Sequence, residues 1–163
     1  MSQATFTVVI PTHNRHDLLT NAVQSVFSQT CLPAELIVVD DGSDPPVGEQ
    51  IFDSAPNEVT CQMLRNDFPR GAAAARNRGV SGASGSWIAF LDDDDVLLPD
   101  KLKCVSQAVA RNPQAKVLYH PAIISMVREN IFYRSGVHDI NQHPDTVNHL
   151  FCKPLQLRTL FTL

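Results

Sequence analysis

Four consecutive carboxylates, Asp92, Asp93, Asp94 and Asp95, follow the apolar run Trp87 to Leu91. Adjacent carboxylates repel one another, and taking them out of water is costly without a cation. Hard cations such as Mg²⁺ and Mn²⁺ take oxygen ligands and often share them with substrate phosphates. Side chains alternate along an extended chain, so Asp92 and Asp94 can face one metal. The run also suits a solvated loop ahead of the helix that starts near Pro99, because acids favour a helix N-terminus. The apolar stretch before it, and a second Asp pair elsewhere, weigh toward a metal.

That second pair lies in Asp40-Asp41-Gly42-Ser43, which closes another apolar run. These residue types form turns. They also offer a carboxylate to the donors of a base edge or to a ribose. A third polar cluster, Pro11-Thr12-His13-Asn14-Arg15, ends the first apolar run. His13 has the chemistry of a metal ligand, although a single His after a strand more commonly hydrogen-bonds at the surface. The same holds for His138, His143 and His149. Arg76 either solvates its helix or balances negative charge in a cleft, as a phosphate-binding Arg does.

The elements that must position these clusters can be read from periodicity. Phe6, Val8 and Ile10 mark a buried strand that stops at Pro11. Leu18, Leu19, Ala22, Val23, Val26 and Phe27 recur with a period near 3.6, which predicts a helix ending near Thr30, capped by Thr12 or Asn14. Leu36 to Val39 reads as a second strand, Val47 to Ser54 as a weak helix, and Val59 to Leu64 as a third strand. Gly71 to Val80 holds four consecutive alanines and reads as a helix whose small residues allow close approach to a sheet. Trp87 to Leu91 is a fourth strand. Leu98, Leu102, Val105 and Val109 mark a helix with Pro99 in its first turn and a stop near Asn112-Pro113. Val117 to Val127 reads as one long or two short strands, and Ile131 to Tyr133 as another. From Phe151 to Leu163 there is no clear period and no evident sheet partner.

Strand and helix alternate four times. The expected fold is therefore α/β, a mostly parallel twisted sheet with helices on both faces. In such sheets ligands bind outside the carboxyl ends of the strands, and right-handed crossovers bring those ends to one edge. The three polar clusters should converge there.

Composition narrows the classes. A chain of 163 residues with 44% hydrophobic and 18% charged residues is large enough for one real core and is not a disordered type. A net charge of -4 argues against a nucleic-acid partner. The apolar runs are too short to span a bilayer, and no secretory signal pattern opens the chain, which makes the cytoplasm the expected compartment. Cys31, Cys61, Cys104 and Cys152 are too dispersed for a metal knuckle or redox pair and read as simple thiols. No Gly-x-x-x-x-Gly-Lys loop is present, which argues against a phosphoryl-transfer or receiver-like domain that uses strand-end aspartates.

Taken together, the motifs resemble the family 2 glycosyltransferases. Val8-Val9-Ile10-Pro11-Thr12-His13-Asn14-Arg15 is similar to their opening V-I-P-T-Y-N-R, with His13 in place of Tyr. Ser25-Val26-Phe27-Ser28-Gln29-Thr30 resembles S-I-L-x-Q-T, and Val38-Val39-Asp40-Asp41-Gly42-Ser43 resembles V-V-D-D-G-S. Asn66, Gly71 and Ala75-Arg76-Asn77-Arg78-Gly79 follow N-x-G-x-x-x-A-R-N-x-G. Phe90 to Asp95 with Pro99-Asp100-Lys101-Leu102 follows F-L-D-x-D-D and P-D-K-L. The resemblance covers residues 6 to 110, five motifs in the family's order.

It implies a GT-A type fold, Rossmann-like, and a nucleotide-sugar donor that is UDP- or GDP-linked. It further implies that Pro11, Thr12, Asn14, Arg15, Asp40, Asp41, Arg76, Asp92 and Asp93 bind the nucleotide, with Asp41 reading the base. Asp94 and Asp92 would hold Mn²⁺ or Mg²⁺, which stabilises the charge on the departing diphosphate. Transfer would go to the hydroxyl of a saccharide or lipid-linked acceptor with inversion, in surface polysaccharide or glycoconjugate synthesis, cytoplasmic and at the inner face of the membrane. Residues 1–135 would form the nucleotide-sugar-binding domain and 136–163 a partial acceptor-side segment. The family's base is an acid well downstream of the D-x-D motif. After Asp100 the sequence offers only Glu129, Asp139 and Asp145. The base is accordingly expected beyond Leu163, in a chain that is carboxy-terminally incomplete. A nucleotide-sugar-binding module without turnover is the alternative.

Overall fold

Phe6–Thr12 forms β1, and every one of its seven residues is buried. A strand covered on both faces reads as a continuous apolar run, which is why Phe6, Val8, Val9 and Ile10 occur almost without interruption. The computed structural model describes residues 4–120, 123–126, 131–134 and 158–162, with side chains described for 4–118. Glu35–Asp40 (β2), Thr60–Arg65 (β3), Trp87–Phe90 (β4), Val117–His120 (β5) and Arg158–Thr162 (β8) join β1 in one sheet ordered β3-β2-β1-β4-β8-β5. All of its pairings are parallel. Ile123–Met126 (β6) and Ile131–Arg134 (β7) form a separate antiparallel pair.

Helices cover both faces. Side chains alternate along each strand, so the two faces carry two apolar clusters. Phe6, Val8, Ile10, Leu36, Val38, Trp87 and Ala89 share one cluster with Leu19, Ala22, Val23 and Val26 of α1 (His16–Phe27). Leu102, Val105 and Val109 of α3 (Lys101–Arg111) complete it. Val9, Ile37, Val39, Ile88 and Phe90 face the other way and pack with Ala75 of α2 (Ala72–Gly82). Each such aliphatic residue contributes about 1.5–3 kcal/mol by leaving water. Gly79 is where α2 meets the sheet. A Cβ there would lie 2.4 Å from Val9 Cγ1.

Several expectations are corrected. β1 runs through Pro11 to Thr12, because a proline that needs no ladder donor is tolerated in a strand. The helix expected over Val47 to Ser54 is only a 3-10 turn, Glu49–Phe52. Pro45, Pro46 and an extended Gly48 precede it, and so short a segment cannot repay helix nucleation. α1 is capped by neither Thr12 nor Asn14; its N-cap is Arg15, with no side-chain cap bond. Of the two readings offered for Val117 to Val127, the second holds: β5 and β6 are short strands in different sheets. The tail does have a sheet partner, for β8 lies between β4 and β5. Glu129, Asp139, Asp145, His138, His143, His149 and Cys152 lie outside the described residues. Cys31, Cys61 and Cys104 are free thiols, as expected.

Candidate functional site

Because β1, β2 and β4 are parallel, their carboxyl ends open on one edge of the sheet. There a cleft of about 390 Å³ is lined by Pro11, Thr12, His13, Arg15, Asp41, Ala72, Ala75, Arg76, Asp92, Asp93 and Asp94. The three polar strand ends do converge. Of the residues expected to bind nucleotide or metal, Asn14 and Asp40 are not in the lining, and neither is Asp95 of the acidic run. Asp40 is fully buried, and its oxygens accept from Ser43 N at 2.8 Å and Val47 N at 3.1 Å and pair with Arg65. Asn14 has φ +55°, and its Oδ1 accepts from Asp44 N at 2.8 Å. Both residues shape the loops around the cleft.

Asp41 faces the cleft and is also tied down. Its carboxylate accepts from Asn66 Nδ2 at 2.6 Å, Arg70 N at 2.9 Å and Gly71 N at 2.7 Å. Asn66 is oriented in turn by Arg78, whose guanidinium donates to Oδ1 at 2.9 Å. Burial alone would raise the Asp41 pKa. The bonds from Asn66, Arg70 and Gly71 outweigh it and hold the carboxyl below its usual range. The Arg70 N–H is shared between the two oxygens, at 3.0 Å to Oδ1 and 2.9 Å to Oδ2, so each oxygen already accepts twice. His13 Nδ1 lies 2.9 Å from the Asp41 carbonyl oxygen, so the ring joins the first and second clusters.

The acidic run is partly neutralised from within the chain. Thr12 Oγ1 donates to Asp93 Oδ2 at 2.8 Å, and Arg15 reaches Asp93 at 3.0 Å and Asp94 at 2.9 Å. Arg76 pairs with Asp92. Four carboxylates against two guanidinium ions leave two negative charges. Consistent with that excess, burial together with the charges of Asp94 and Asp92 raises the Asp95 pKa. Asp92, Asp94 and Asp95 each present a carboxylate oxygen, all within 4.8 Å of one another. An all-oxygen donor set of this kind fits a hard divalent cation. His13 is not part of it.

Gln29 was visible in the sequence only as a motif letter. It anchors the segment after the acidic run. Its Nε2 donates to Leu98 O at 2.8 Å, and its Oε1 accepts from Leu102 N at 3.0 Å. Nearby, Ser25 Oγ accepts from Leu97 N at 3.0 Å. Nothing in the sequence singles out Arg65, and Ala72 and Ala75 read there as small residues of a helix face, not as cleft lining. Arg65 stands in register with Asp40 across β2 and β3, a pairing that only the register reveals.

A parallel sheet with helices on both faces and a polar cleft at its carboxyl edge is a doubly wound α/β architecture, which binds ligands at that edge. The family model for glycosyl transferase family 2 matches residues 7–161, and the chain belongs to that family. A protein of Haemophilus influenzae named an uncharacterized glycosyltransferase is 36% identical over 126 residues, covering 77% of this chain and 42% of that protein. WfgD of Escherichia coli, named UDP-Glc:alpha-D-GlcNAc-diphosphoundecaprenol beta-1,3-glucosyltransferase, is 31% identical over 105 residues, covering 64% of this chain and 41% of its own length. The chain thus spans about two-fifths of these relatives. Among solved structures, S. aureus TarS residues 1–349 in complex with UDP superposes with a TM-score of 0.64 at 23% identity, over 83% of this chain and 38% of that one. That likeness establishes the GT-A type fold.

Proposed function

We propose that this chain carries the donor site of an inverting glycosyltransferase that takes a UDP-linked sugar and a divalent cation. One observation carries the reading. The strand ends of β1, β2 and β4 meet in a cleft lined by Asp92 and Asp94, whose carboxylate oxygens lie with one of Asp95 within 4.8 Å of one another. The printed titles of similar proteins agree. TarS has been crystallised with UDP and with UDP-GlcNAc, and WfgD is named for a UDP-Glc donor and a diphosphoundecaprenol-linked acceptor.

In this reading Pro11, Thr12, Arg15, Asp41 and Arg76 receive the nucleotide, with Asp41 on the side of the base, and Asn14 acts through the loop it shapes. Asp40 acts through the loop it fixes. Asp92 and Asp93 serve the ribose and diphosphate side, and Asp94 with Asp92 would hold Mn²⁺ or Mg²⁺, the D-x-D arrangement. When bound, the cation supplies charge neutralisation to the departing diphosphate. Arg15 and Arg76 add fixed positive charge beside it. Inversion requires a carboxylate within reach of the acceptor hydroxyl, and no described residue is assigned that role. Residues 1–135 are assigned to the donor and 136–163 to the acceptor side, except that β8 within the latter completes the donor sheet. The acceptor is a saccharide or lipid-linked sugar, and the work is done in the cytoplasm at the inner face of the membrane, in surface polysaccharide synthesis. Among the described residues no helix is long and apolar enough to cross a membrane.

A thermal-shift series tests the reading, because a ligand that binds only the folded state raises Tm. UDP and UDP-GlcNAc should raise it with Mn²⁺ and much less without. Inorganic phosphate should not. Equal shifts with and without Mn²⁺ would overturn the cation's role, and no shift with any nucleotide would overturn the donor site. Release of UDP on adding a lipid-linked saccharide separates a transferase from a module that only binds.

A further inference from the structure

We propose that Arg15 is an internal counterion of the cleft that must release Asp94 before a divalent cation takes it. The inference rests on the donor and cation reading above and adds a residue that controls loading. Arg15 bridges two carboxylates, at 3.0 Å to Asp93 and 2.9 Å to Asp94. The two arms differ. The Asp93 side chain is only 7% exposed and also holds the Thr12 hydroxyl, whereas those of Arg15 and Asp94 are each 51% exposed. Asp94 is therefore the arm that water, or an ion, can reach.

The same Asp94 belongs to the oxygen cluster with Asp92 and Asp95. A divalent cation on Asp94 stands next to the Arg15 guanidinium, and the two positive charges repel each other. Arg15 thus opposes the cation when it arrives alone. A nucleoside diphosphate changes the sign. Its phosphate oxygens give the displaced, planar guanidinium a bidentate partner beside the cation. Arg15 weakens cation binding in the empty cleft and strengthens nucleotide binding in the loaded one. A residue that merely holds the loop would shift both in the same direction.

The test uses the full chain with Mn²⁺ alone, following free Mn²⁺ by electron paramagnetic resonance, and then UDP with saturating Mn²⁺. Arg15→Gln should bind Mn²⁺ alone about threefold to tenfold tighter than the unmodified chain. It should bind UDP in the presence of Mn²⁺ about threefold to tenfold more weakly. Arg15→Lys, which keeps the charge but lacks the planar guanidinium that suits bidentate contact with phosphate oxygens, should fall between the two on both measures. Mn²⁺ affinity that is unchanged or weaker in Arg15→Gln overturns the proposal, as does no detectable Mn²⁺ binding in any of the three. If Arg15→Gln does not fold, the Arg15→Lys comparison decides in the same way. Failure of the unmodified chain to bind UDP would sink the donor reading, while the Mn²⁺ titration would still judge Arg15.

Discussion

Thr12 and Asp93 are joined by a 2.8 Å hydrogen bond from Oγ1 to Oδ2, which ties the last residue of β1 to the middle of the acidic run after β4. Both residues are buried, Asp93 to 5% exposure. The bond lets one wall of the cleft fix the other.

Thr12→Val keeps the shape and removes the donor. A buried carboxylate left with one fewer partner costs about 1–3 kcal/mol. A loss of that size in urea unfolding is expected, together with weaker Mn²⁺-dependent UDP binding. Stability unchanged within error would show that Arg15 alone suffices to hold Asp93.

Gln29→Leu tests the anchor at the end of α1. The amide serves Leu98 O and Leu102 N, and a leucine leaves both backbone groups without it. About 1–3 kcal/mol of stability should be lost. Amide exchange should quicken around 97–102. Protection that stays at the level of the unmodified chain would argue that α3 holds this segment without Gln29.

Much of this architecture is legible in the sequence, and the reasons are physical. Buried parallel strands must be apolar on both faces, so β1, β2 and β4 announce themselves. Polar clusters that follow such strands fall on one edge by chirality alone, which is why ten of the eleven cleft residues lie in motifs of the sequence. What stayed hidden depends on register and on distant pairing. Arg65 meets Asp40 because β3 aligns with β2 at that position, and nothing local in Arg65 says so. Likewise, the short run Arg158–Thr162 finds its place between β4 and β5 only through pairing with strands far away in the chain.

Gly79→Ala probes a readable feature, the small face of α2. The added methyl would lie 2.4 Å from Val9 Cγ1 and 3.2 Å from Val39 Cγ2. The helix must shift or the valines must move, at about 1–3 kcal/mol. Because Ala75 and Arg76 ride on α2, UDP affinity should fall as well. A variant as stable as the parent would mean that the helix slides without cost.

Asp94→Asn should abolish the dependence of UDP binding on Mn²⁺ while leaving Tm near its starting value or higher. Asp94 is half exposed and lies among like charges, so losing its charge relieves repulsion. Calorimetry with and without Mn²⁺ reads the outcome. A Mn²⁺ effect as large as in the parent would remove Asp94 from the cation site.

Asp40 gives the pH dependence. It is fully buried and bound to Ser43, Val47 and Arg65. Burial pushes its pKa up, but the bonds from Ser43, Val47 and Arg65 prevail and hold it below the usual range. A carboxyl whose folded pKa is depressed stabilises the fold above its unfolded pKa, near about 3.9. That stabilisation drains away as pH falls through the folded value. Asp40→Asn has no charge to lose. At neutral pH it should cost about 1–3 kcal/mol, a modest figure because Arg65 is partly open to water and keeps some hydration once unpaired. Below about pH 4 the parent loses what the variant never had, so the gap between them should narrow. Urea midpoints measured for both from neutral pH down to about pH 3 check this. A gap that stays constant over that range would place the cost in lost packing or hydrogen-bond geometry rather than in the carboxylate charge.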